Sequence, residues 1–213
     1  KTPRRQRQMC IRDRMKIACF DMEGTLTPEI WEQVALDTGI EGFNKTTRDI
    51  PDYGELMDFR LDLMASNNLG ISDVQNAVNK LDLLDGAKDF LDEIKESFQV
   101  VILSDTFHEF ASPLMRKMGY PLLLCHNLDI DQDGSIKGYK LRHSKAKQQA
   151  IEAFQSIGYQ CVAAGDSYND IQMFDVADHA FFMNAPEKIV MEFPKIPSFN
   201  KYDDLKKAFL EVA

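Results

Sequence analysis

Three short segments of the sequence concentrate side chains that could do chemistry. They are DMEGT at 21–25, SDT at 104–106 and GDSYND at 165–170, and together they carry five carboxylates and several hydroxyls. Carboxylates crowded into one site repel one another and resist ionisation unless a cation neutralises them. Oxygen ligands without His or Cys suit magnesium. The three segments therefore predict a bound Mg2+.

A magnesium ion and a nearby lysine would suit a phosphorylated substrate. The charge of a phosphate needs a cation and hydrogen-bond donors around it. Ser104, neighbouring backbone amides and Lys147 could supply them. Lys147 opens a predicted helix, and the amides at a helix N-terminus also favour an anion. These residues predict a site for a small phosphate compound.

The chemical segments follow apolar runs that are typical of strands buried on both faces. Four such runs occur, at Lys16 to Phe20, Gln99 to Leu103, Gln160 to Ala164 and His179 to Met183. Helical patterns separate them, at Gly86 to Phe98 and at Lys147 to Ile157. Alternating strands and helices predict an α/β fold with a doubly wound parallel sheet. Loops at the carboxyl ends of such strands converge on one crevice, which would bring the three segments together.

The connection between the first two strands is far longer than a crossover needs. About 78 residues lie there, whereas a dozen or so are enough for a crossover. Helical patterns at Glu29 to Asp37, Tyr53 to Ala65 and Ser72 to Leu81 predict an inserted helical cap.

This pattern divides the chain into a core and a cap. We expect a catalytic α/β core at 15–27 and 84–213, and a helical cap at 28–83. The segment LDIDQDGSIKGYKL at 128–141 contains Asp-Gly and predicts a hairpin beside the sheet.

Charge is distributed unevenly along the chain. The first fourteen residues carry six basic and one acidic side chain, whereas the rest carries 19 basic and 33 acidic ones. We interpret 1–14 as a non-native or disordered leader, with Met15 as the native start. The acidic remainder argues against a nucleic-acid partner, since clustered Lys and Arg bind phosphate backbones.

Composition indicates an ordinary globular protein. The 213 residues are 44% hydrophobic and 28% charged. No apolar stretch could span a membrane and the N-terminus lacks the apolar core of a secretory signal, so we expect a cytoplasmic protein without a membrane partner. The four cysteines, at 10, 19, 125 and 161, have no metal-ligand spacing and are expected to be free thiols.

The order DMEGT, SDT, Lys147 and GDSYND resembles the four motifs of the haloacid dehalogenase superfamily, over nearly everything after Met15. The resemblance implies that Asp21 attacks phosphorus and forms an aspartyl-phosphate. It implies that Glu23 protonates the leaving alkoxide and then activates water. Many phosphatases of this superfamily carry Asp at that position, and Glu preserves the acid–base role. Asp21, the backbone carbonyl of Glu23 and Asp166 would hold the metal.

The same resemblance implies roles for three further side chains. Ser104 and Lys147 would hold the phosphoryl oxygens. Asp170 would orient Lys147 or the waters of the metal.

Several longer runs, PEIW, TTRDIPDY, VVILSDTFHEF, LLCH and AAGDSYND, closely resemble the bacterial ThrH-type phosphoserine phosphatases. Members of that family also transfer phosphate from phosphoserine to homoserine. The resemblance implies that Glu29 and Arg60 bind the ammonium and carboxylate of an amino acid, and that Asn169 also contacts substrate. Asp105, with the threonine that follows it, agrees with this family, whereas ordinary phosphoserine phosphatases have a Gly-rich stretch there.

The sequence is also compatible with other functions. An enolase-phosphatase or a phosphatase of methylthio-sugars could share these motifs, and so could a catalytically inactive metal-binding module. A dehalogenase would have little need for Glu23 and Asp166.

Some side chains near the motifs have ordinary structural interpretations. Asp105 could cap the following helix instead of binding substrate. His108 and His126 suggest no metal ligation, since a lone histidine beside an apolar run is more often structural. The pocket-lining candidates Trp31, Phe43 and Tyr53 could equally be core aromatics.

Overall fold

Seven strands and nine α-helices make up the part of the chain that this computed structural model describes, which is residues 14–47, 49–50 and 52–212. The strands are β1 (Lys16–Phe20), β2 (Gln99–Phe107), β3 (Leu122–Ile130), β4 (Ile136–Lys140), β5 (Gln160–Gly165), β6 (His179–Met183) and β7 (Ser198–Phe199). The α-helices are α1 (Ile30–Thr38), α2 (Tyr53–Ser66), α3 (Ile71–Lys80), α4 (Ala87–Ile94), α5 (His108–Lys117), α6 (Ala146–Ser156), α7 (Ile171–Phe174), α8 (Glu187–Glu192) and α9 (Tyr202–Glu211). All but the last residue of the predicted leader lies outside the described residues, as does Cys10.

The strands form one sheet in the order β4-β3-β2-β1-β5-β6-β7. Every neighbouring pair is parallel except β3 and β4. The first strand, β1, lies at the centre between β2 and β5. The predicted α/β fold with a mostly parallel, doubly wound sheet is confirmed.

The central strand is apolar from Ile17 to Phe20 because helices cover both of its faces. Ala18 and Phe20 belong to one hydrophobic cluster, and Ile17 and Cys19 belong to the cluster on the other face. All four side chains are at most 5% exposed. The continuous apolar run in the sequence therefore reflects alternation between two buried layers.

The second strand extends beyond its predicted end. It was expected to stop at Leu103 but continues to Phe107, and its pairing with β3 shifts register between these two residues. A bulge of this kind redirects side chains and is frequent beside active sites. Segment 104–106 thus lies within an irregular strand and not in a loop.

The predicted hairpin belongs to the edge of the sheet. β3 begins at Leu122, six residues before the predicted hairpin, and its first residues pair in parallel with β2. Its later residues, Asn127 to Ile130, pair antiparallel with β4. One strand therefore serves both the main sheet and the hairpin.

Three α-helices, α1, α2 and α3, lie in the segment predicted to be a cap. Their apolar side chains share one cluster with helices of the sheet, as Trp31 and Val74 do with Phe110. Trp31 and Phe43 are at most 7% exposed and stack at 5.6 Å between ring centroids, so they are core aromatics. The domain boundaries at 28 and 83 stay a prediction.

The end of helix α4 and the burial of one cysteine differ from what the sequence predicts. Helix α4 ends at Ile94, four residues before the predicted end, and turn hydrogen bonds follow it. Cys19 and Cys161 are buried free thiols, whereas Cys125 is only partly buried. Within the described ranges, none of the helices has the length and apolar character that a membrane crossing requires.

Candidate active site

The carboxyl edge of the sheet brings the three chemical segments together. Asp21 directly follows β1, Ser104 lies at the bulge of β2, and Asp166 directly follows β5. Asp21 is 5% exposed and Ser104 is 4% exposed. Polar groups buried this deeply need partners.

Lys147 supplies the cation at the centre of this cluster. It is the second residue of α6, and its Nζ lies 2.9 Å from Asp21 Oδ1 and 2.8 Å from Asp170 Oδ1. Asp105 Oδ2 is 3.8 Å away. Although burial opposes its charge, Asp170, Asp21 and Asp105 raise the pKa of Lys147 well above its usual value. Lys147 is therefore protonated across the physiological range.

Asp170 orients both Lys147 and the loop around it. Its Oδ1 contacts Lys147, and its Oδ2 accepts hydrogen bonds from the backbone N–H groups of Asp166 and Ser167, at 3.0 and 3.1 Å. Asp170 is fully buried. A Cβ at Gly165 would overlap the Asp170 carboxyl group, so glycine is needed at this position. Asp170 therefore contacts Lys147 directly.

Three carboxylates could hold a metal ion. One oxygen from each of Asp21, Asp166 and Asp170 lies within 4.8 Å of the others. Thr25 donates a hydrogen bond of 3.1 Å to Asp166 Oδ1. Gly24 has φ +77°, and any Cβ there would overlap the Asp166 carboxylate. The close approach of Asp166 to the other carboxylates therefore requires glycine beside it.

The electrostatics of this cluster suit a cation. Burial and then the charge of Asp170 raise the pKa of Asp21 well above its usual value. The same two causes raise the pKa of Asp166 to about 7. The single charge of Lys147 does not offset the surrounding carboxylates. An all-oxygen, electron-rich set of this kind fits Mg2+.

Glu23 lies at the start of helix α1. Its Oε2 accepts a hydrogen bond of 2.9 Å from the N–H of Ile30, the first residue of that helix. Burial, followed by the charge of Glu29, raises the pKa of Glu23 to about 8, although Ile30 and Arg60 act in the opposite direction. Glu23 can thus carry a proton at neutral pH.

Arg60 is held in a mostly apolar setting on α2. It is 7% exposed, its Nη2 donates to the Lys45 carbonyl at 2.9 Å, and its Cζ lies 4.7 Å from the centre of the Trp31 ring. Its buried Nε has no hydrogen-bond partner among the described residues. Glu29 is exposed at the N-cap of α1, and its charge acts on both Glu23 and Arg60. Glu23, Glu29 and Arg60 therefore face one region.

Asp105 and Asn169 contact each other across the site. Asn169 Nδ2 donates to Asp105 Oδ2 at 2.9 Å. Asp105 lies inside β2 and the N-cap of α5 is Phe107, so Asp105 does not cap that helix. Burial alone would raise the pKa of Asp105, but Lys147, His126 and Asn169 together lower it below its usual value. Asp105 is therefore ionised.

Two side chains that are not among the predicted site residues also touch Asp105. Tyr53, from α2, donates its hydroxyl to the Asp105 carbonyl at 2.6 Å. His126, from β3, has its Nε2 3.4 Å from Asp105 Oδ1. The pairing of β3 with β2 sets His126 opposite Phe107. The apolar run at 122–124 was the signal that could have predicted this strand and therefore the position of His126.

Comparisons with known proteins find hydrolases similar to this chain. A family model described as haloacid dehalogenase-like hydrolase matches residues 15–178. The chain is 48% identical over 199 residues to "Phosphoserine phosphatase ThrH" of Pseudomonas aeruginosa, which covers 93% of this chain and 97% of that protein. It is 47% identical over 199 residues to "Phosphoserine phosphatase" of Pseudomonas syringae pv. tomato, covering 93% of this chain and 84% of that protein.

Solved structures share the fold at lower identity. A substrate-bound phosphoserine phosphatase complex superposes with a TM-score of 0.76 at 22% identity, covering 94% of this chain and 100% of that one. A phospho-aspartyl intermediate analogue of phosphoserine phosphatase gives a TM-score of 0.74 at 23% identity, covering 89% of this chain and 95% of that one. These two likenesses establish the arrangement of the sheet and its helices.

Proposed function

Because the chain belongs to the haloacid dehalogenase-like hydrolase family, we propose that it is a Mg2+-dependent phosphoserine phosphatase that works through an aspartyl-phosphate on Asp21. The proposal also includes transfer of the phosphate to homoserine. The observation that carries it is the buried Asp21 carboxylate, 2.9 Å from Lys147 within the acidic cluster. The identity of 48% to a ThrH-type enzyme supports the substrate.

Asp21 is the nucleophile of the proposal. An oxygen of its carboxylate forms a bond to phosphorus while the bond from phosphorus to the serine oxygen breaks. Lys147 and Ser104 offer a charge and a hydroxyl at the same edge of the sheet for the phosphoryl oxygens. The products of this step are serine and an aspartyl-phosphate.

Glu23 supplies and then recovers a proton. With a pKa raised to about 8, its carboxyl group is protonated at neutral pH and can donate to the leaving serine oxygen. The resulting carboxylate then takes a proton from the attacking water, which restores Asp21 and releases phosphate. The hydrogen bond from Ile30 fixes the carboxyl group at the start of α1.

Asp21, Asp166 and the backbone carbonyl of Glu23 are the proposed ligands of Mg2+. When bound, the ion would neutralise charge on the phosphoryl group and on the carboxylates. Asp170, whose oxygens are occupied by Lys147 and by backbone N–H groups, keeps its positioning role.

Glu29 and Arg60 are the proposed contacts of the amino-acid part of the substrate. A zwitterion needs one anion for its ammonium and a bidentate cation for its carboxylate. The buried Arg60 Nε without a partner in the described structure leaves a donor for such a carboxylate. Asn169 is a further proposed contact, held by Asp105.

Homoserine is the proposed second acceptor. Its hydroxyl would attack phosphorus in place of water and lose its proton to Glu23, giving O-phosphohomoserine and free Asp21. The support is the ThrH-type sequence at Asp105-Thr106 and the identity to the relative of that name.

One experiment tests hydrolysis and transfer together. The protein is incubated with phosphoserine and Mg2+, with and without homoserine, and both free phosphate and O-phosphohomoserine are measured. We expect phosphate in both reactions and O-phosphohomoserine only in the second, and neither product from Asp21→Asn. Phosphate alone would reject the transfer, and no turnover at all would reject the substrate.

A second experiment separates amino-acid phosphates from other substrates. Arg60→Ala should raise KM for phosphoserine and leave a simple aryl phosphate much less affected. Arg116→Ala is the matched control, since Arg116 is exposed on α5. Unchanged phosphoserine turnover in Arg60→Ala would favour an enolase-phosphatase or a methylthio-sugar phosphatase instead.

A further inference from the structure

His126 lies on β3 beside Asp105 and is only 3% exposed. Its Nδ1 accepts a hydrogen bond of 3.1 Å from the backbone N–H of Arg142. Its other ring nitrogen, Nε2, lies 3.4 Å from Asp105 Oδ1. The imidazole therefore bridges a backbone amide and a carboxylate.

The contact with Arg142 decides where the proton of the ring is. A nitrogen that accepts a hydrogen bond carries no proton, so the ring proton resides on Nε2. Nε2 is the nitrogen that faces Asp105. His126 thus directs its Nε2–H group towards the carboxylate.

Asp105 is held from several sides by this arrangement. Tyr53 donates to its carbonyl at 2.6 Å, and Asn169 donates to its Oδ2 at 2.9 Å. The rings of Tyr53 and Phe107 lie 6.1 and 6.0 Å from that of His126, measured between centroids, so the imidazole has little room to turn. Because Oδ1 faces His126, Oδ2 is directed at Asn169.

We propose that His126 is a positioning residue that, through Asp105, fixes Asn169 for binding of the substrate. This inference rests on the proposed function, since Asn169 is a proposed substrate contact. Lys147 lies 3.8 Å from Asp105 Oδ2 but is held at closer range by Asp21 and Asp170, at 2.9 and 2.8 Å. Loss of His126 therefore weakens substrate binding and spares the phosphoryl-transfer step.

Steady-state kinetics with phosphoserine test whether the loss of His126 affects substrate binding and not phosphoryl transfer. His126→Leu removes the N–H and keeps an apolar side chain of similar size, and we expect KM to rise about tenfold, which is the effect of one lost hydrogen bond to a charged group. The value of kcat should stay within about threefold. His126→Gln keeps an amide N–H and should restore most of the loss.

A second histidine serves as a control, to show that the effect is specific to His126 and does not follow from replacing any histidine. His143 also accepts a backbone N–H at its Nδ1, from Lys145, but it is exposed and faces Gln149. His143→Leu should leave both constants unchanged. An unchanged KM in His126→Leu, or a KM in a folded His126→Gln as high as in His126→Leu, would overturn the proposal.

A double-mutant cycle tests whether Asp105 transmits the effect. In an Asp105→Ala background, His126→Leu should raise KM no further, because the carboxylate it orients is gone. A full additional tenfold increase would show that His126 acts by another route and would reject the proposal.

Nuclear magnetic resonance tests the arrangement without any turnover. Imidazole nitrogen signals of the wild-type protein should show the proton of His126 on Nε2, and the Asn169 side-chain amide signal should shift in His126→Leu but not in His143→Leu. A proton on Nδ1, or an unmoved Asn169 signal, rejects the positioning role. Since no substrate is present, failure of phosphoserine as a substrate would leave these results intact and would affect only the proposed function.

Discussion

Asp21 and Glu23 are two residues apart, yet their environments prepare them for opposite tasks. Burial and Asp170 raise the pKa of Asp21, but Lys147 at 2.9 Å acts in the opposite direction, and a cation beside Asp166 would add to that effect. Glu23 forms no ion pair with a cation among the described residues, and burial raises its pKa to about 8, although Arg60 acts in the opposite direction. Two carboxyl groups whose surroundings differ in this way can divide the roles of nucleophile and proton donor.

Glu23→Gln should reveal the proton donor through its dependence on the leaving group. Glutamine cannot protonate the serine oxygen, so kcat for phosphoserine should fall roughly 10²- to 10⁴-fold. An aryl phosphate such as p-nitrophenyl phosphate leaves without protonation, and formation of its aspartyl-phosphate, measured as a burst of nitrophenol, should be much less affected.

Glu32→Gln serves as the control, because Glu32 is exposed on α1, the helix whose first N–H group contacts Glu23. Equal losses in nitrophenol burst and phosphoserine turnover in Glu23→Gln would contradict a role as proton donor.

The conformation of the loop after β5 depends on a glycine at position 165. Gly165 lies against the Asp170 carboxyl group, which in turn binds Lys147 and two backbone N–H groups of the loop. The position of the buried lysine is therefore set by a residue without a side chain.

Gly165→Ala should destabilise the protein by roughly 1–3 kcal/mol, as overpacking of a filled site does. Activity should fall as well, since Asp170 must move away from Lys147. Thermal unfolding and phosphoserine turnover are the two measurements. Gly138→Ala is the matched control, because a Cβ there meets no atom within 4 Å. Wild-type stability and activity in Gly165→Ala would disprove this dependence.

Tyr53 joins helix α2 to the bulge of β2 through one hydrogen bond of 2.6 Å. Tyr53→Phe removes the hydroxyl and leaves the Asp105 carbonyl without this donor, so unfolding free energy should drop by about 1 kcal/mol. Urea denaturation measures the change. Tyr120→Phe is expected to have no effect, since Tyr120 is 63% exposed. Equal midpoints for Tyr53→Phe and wild type would refute the contribution.

Sequence reasoning succeeded where chemistry is local and failed where it depends on distant pairing. The ends of β1 and β5 were predictable because apolar runs stop at Asp21 and Asp166, and parallel strands bring such ends to one edge. The continuation of β2 to Phe107 was not, because polar residues at 104–106 are typical of a loop and only the partner strand shows the bulge. His126 was set aside for the same reason, since its contact with Asp105 follows from pairing between β2 and β3.

For the molecule as a whole, the acidic cluster makes stability depend on pH and on metal. Burial and Asp170 raise the pKa of Asp166 to about 7, whereas in an unfolded chain an aspartate titrates at about 3.9. Between these values the folded protein holds more protons than the unfolded one. Without metal, stability should therefore fall as pH rises from about 4 to about 7.

Unfolding in urea across this pH range, with EDTA or with Mg2+, measures both effects. In EDTA we expect a loss of roughly 4 kcal/mol from the raised pKa of Asp166, and Asp166→Asn should reduce that loss. Mg2+ at about 100 times its Kd should add roughly 2.7 kcal/mol at pH 7, where the carboxylates are ionised. Stability in EDTA that is the same for wild type and Asp166→Asn at every pH, with no response to Mg2+, would contradict the prediction.

The central position of β1 also has a consequence for biosynthesis. Of the seven described strands, β1 is made before the others, and its two neighbours, β2 and β5, begin at residues 99 and 160. The apolar β1 has neither neighbour until β2 has been made and only one until β5 has been made, and exposed strands of this kind are prone to aggregate. Asp21 cannot meet Lys147 or Asp166 until most of the polypeptide has been synthesised. A nascent chain should therefore need protection by chaperones for most of translation, and its phosphatase activity should appear only after release of the C-terminal half.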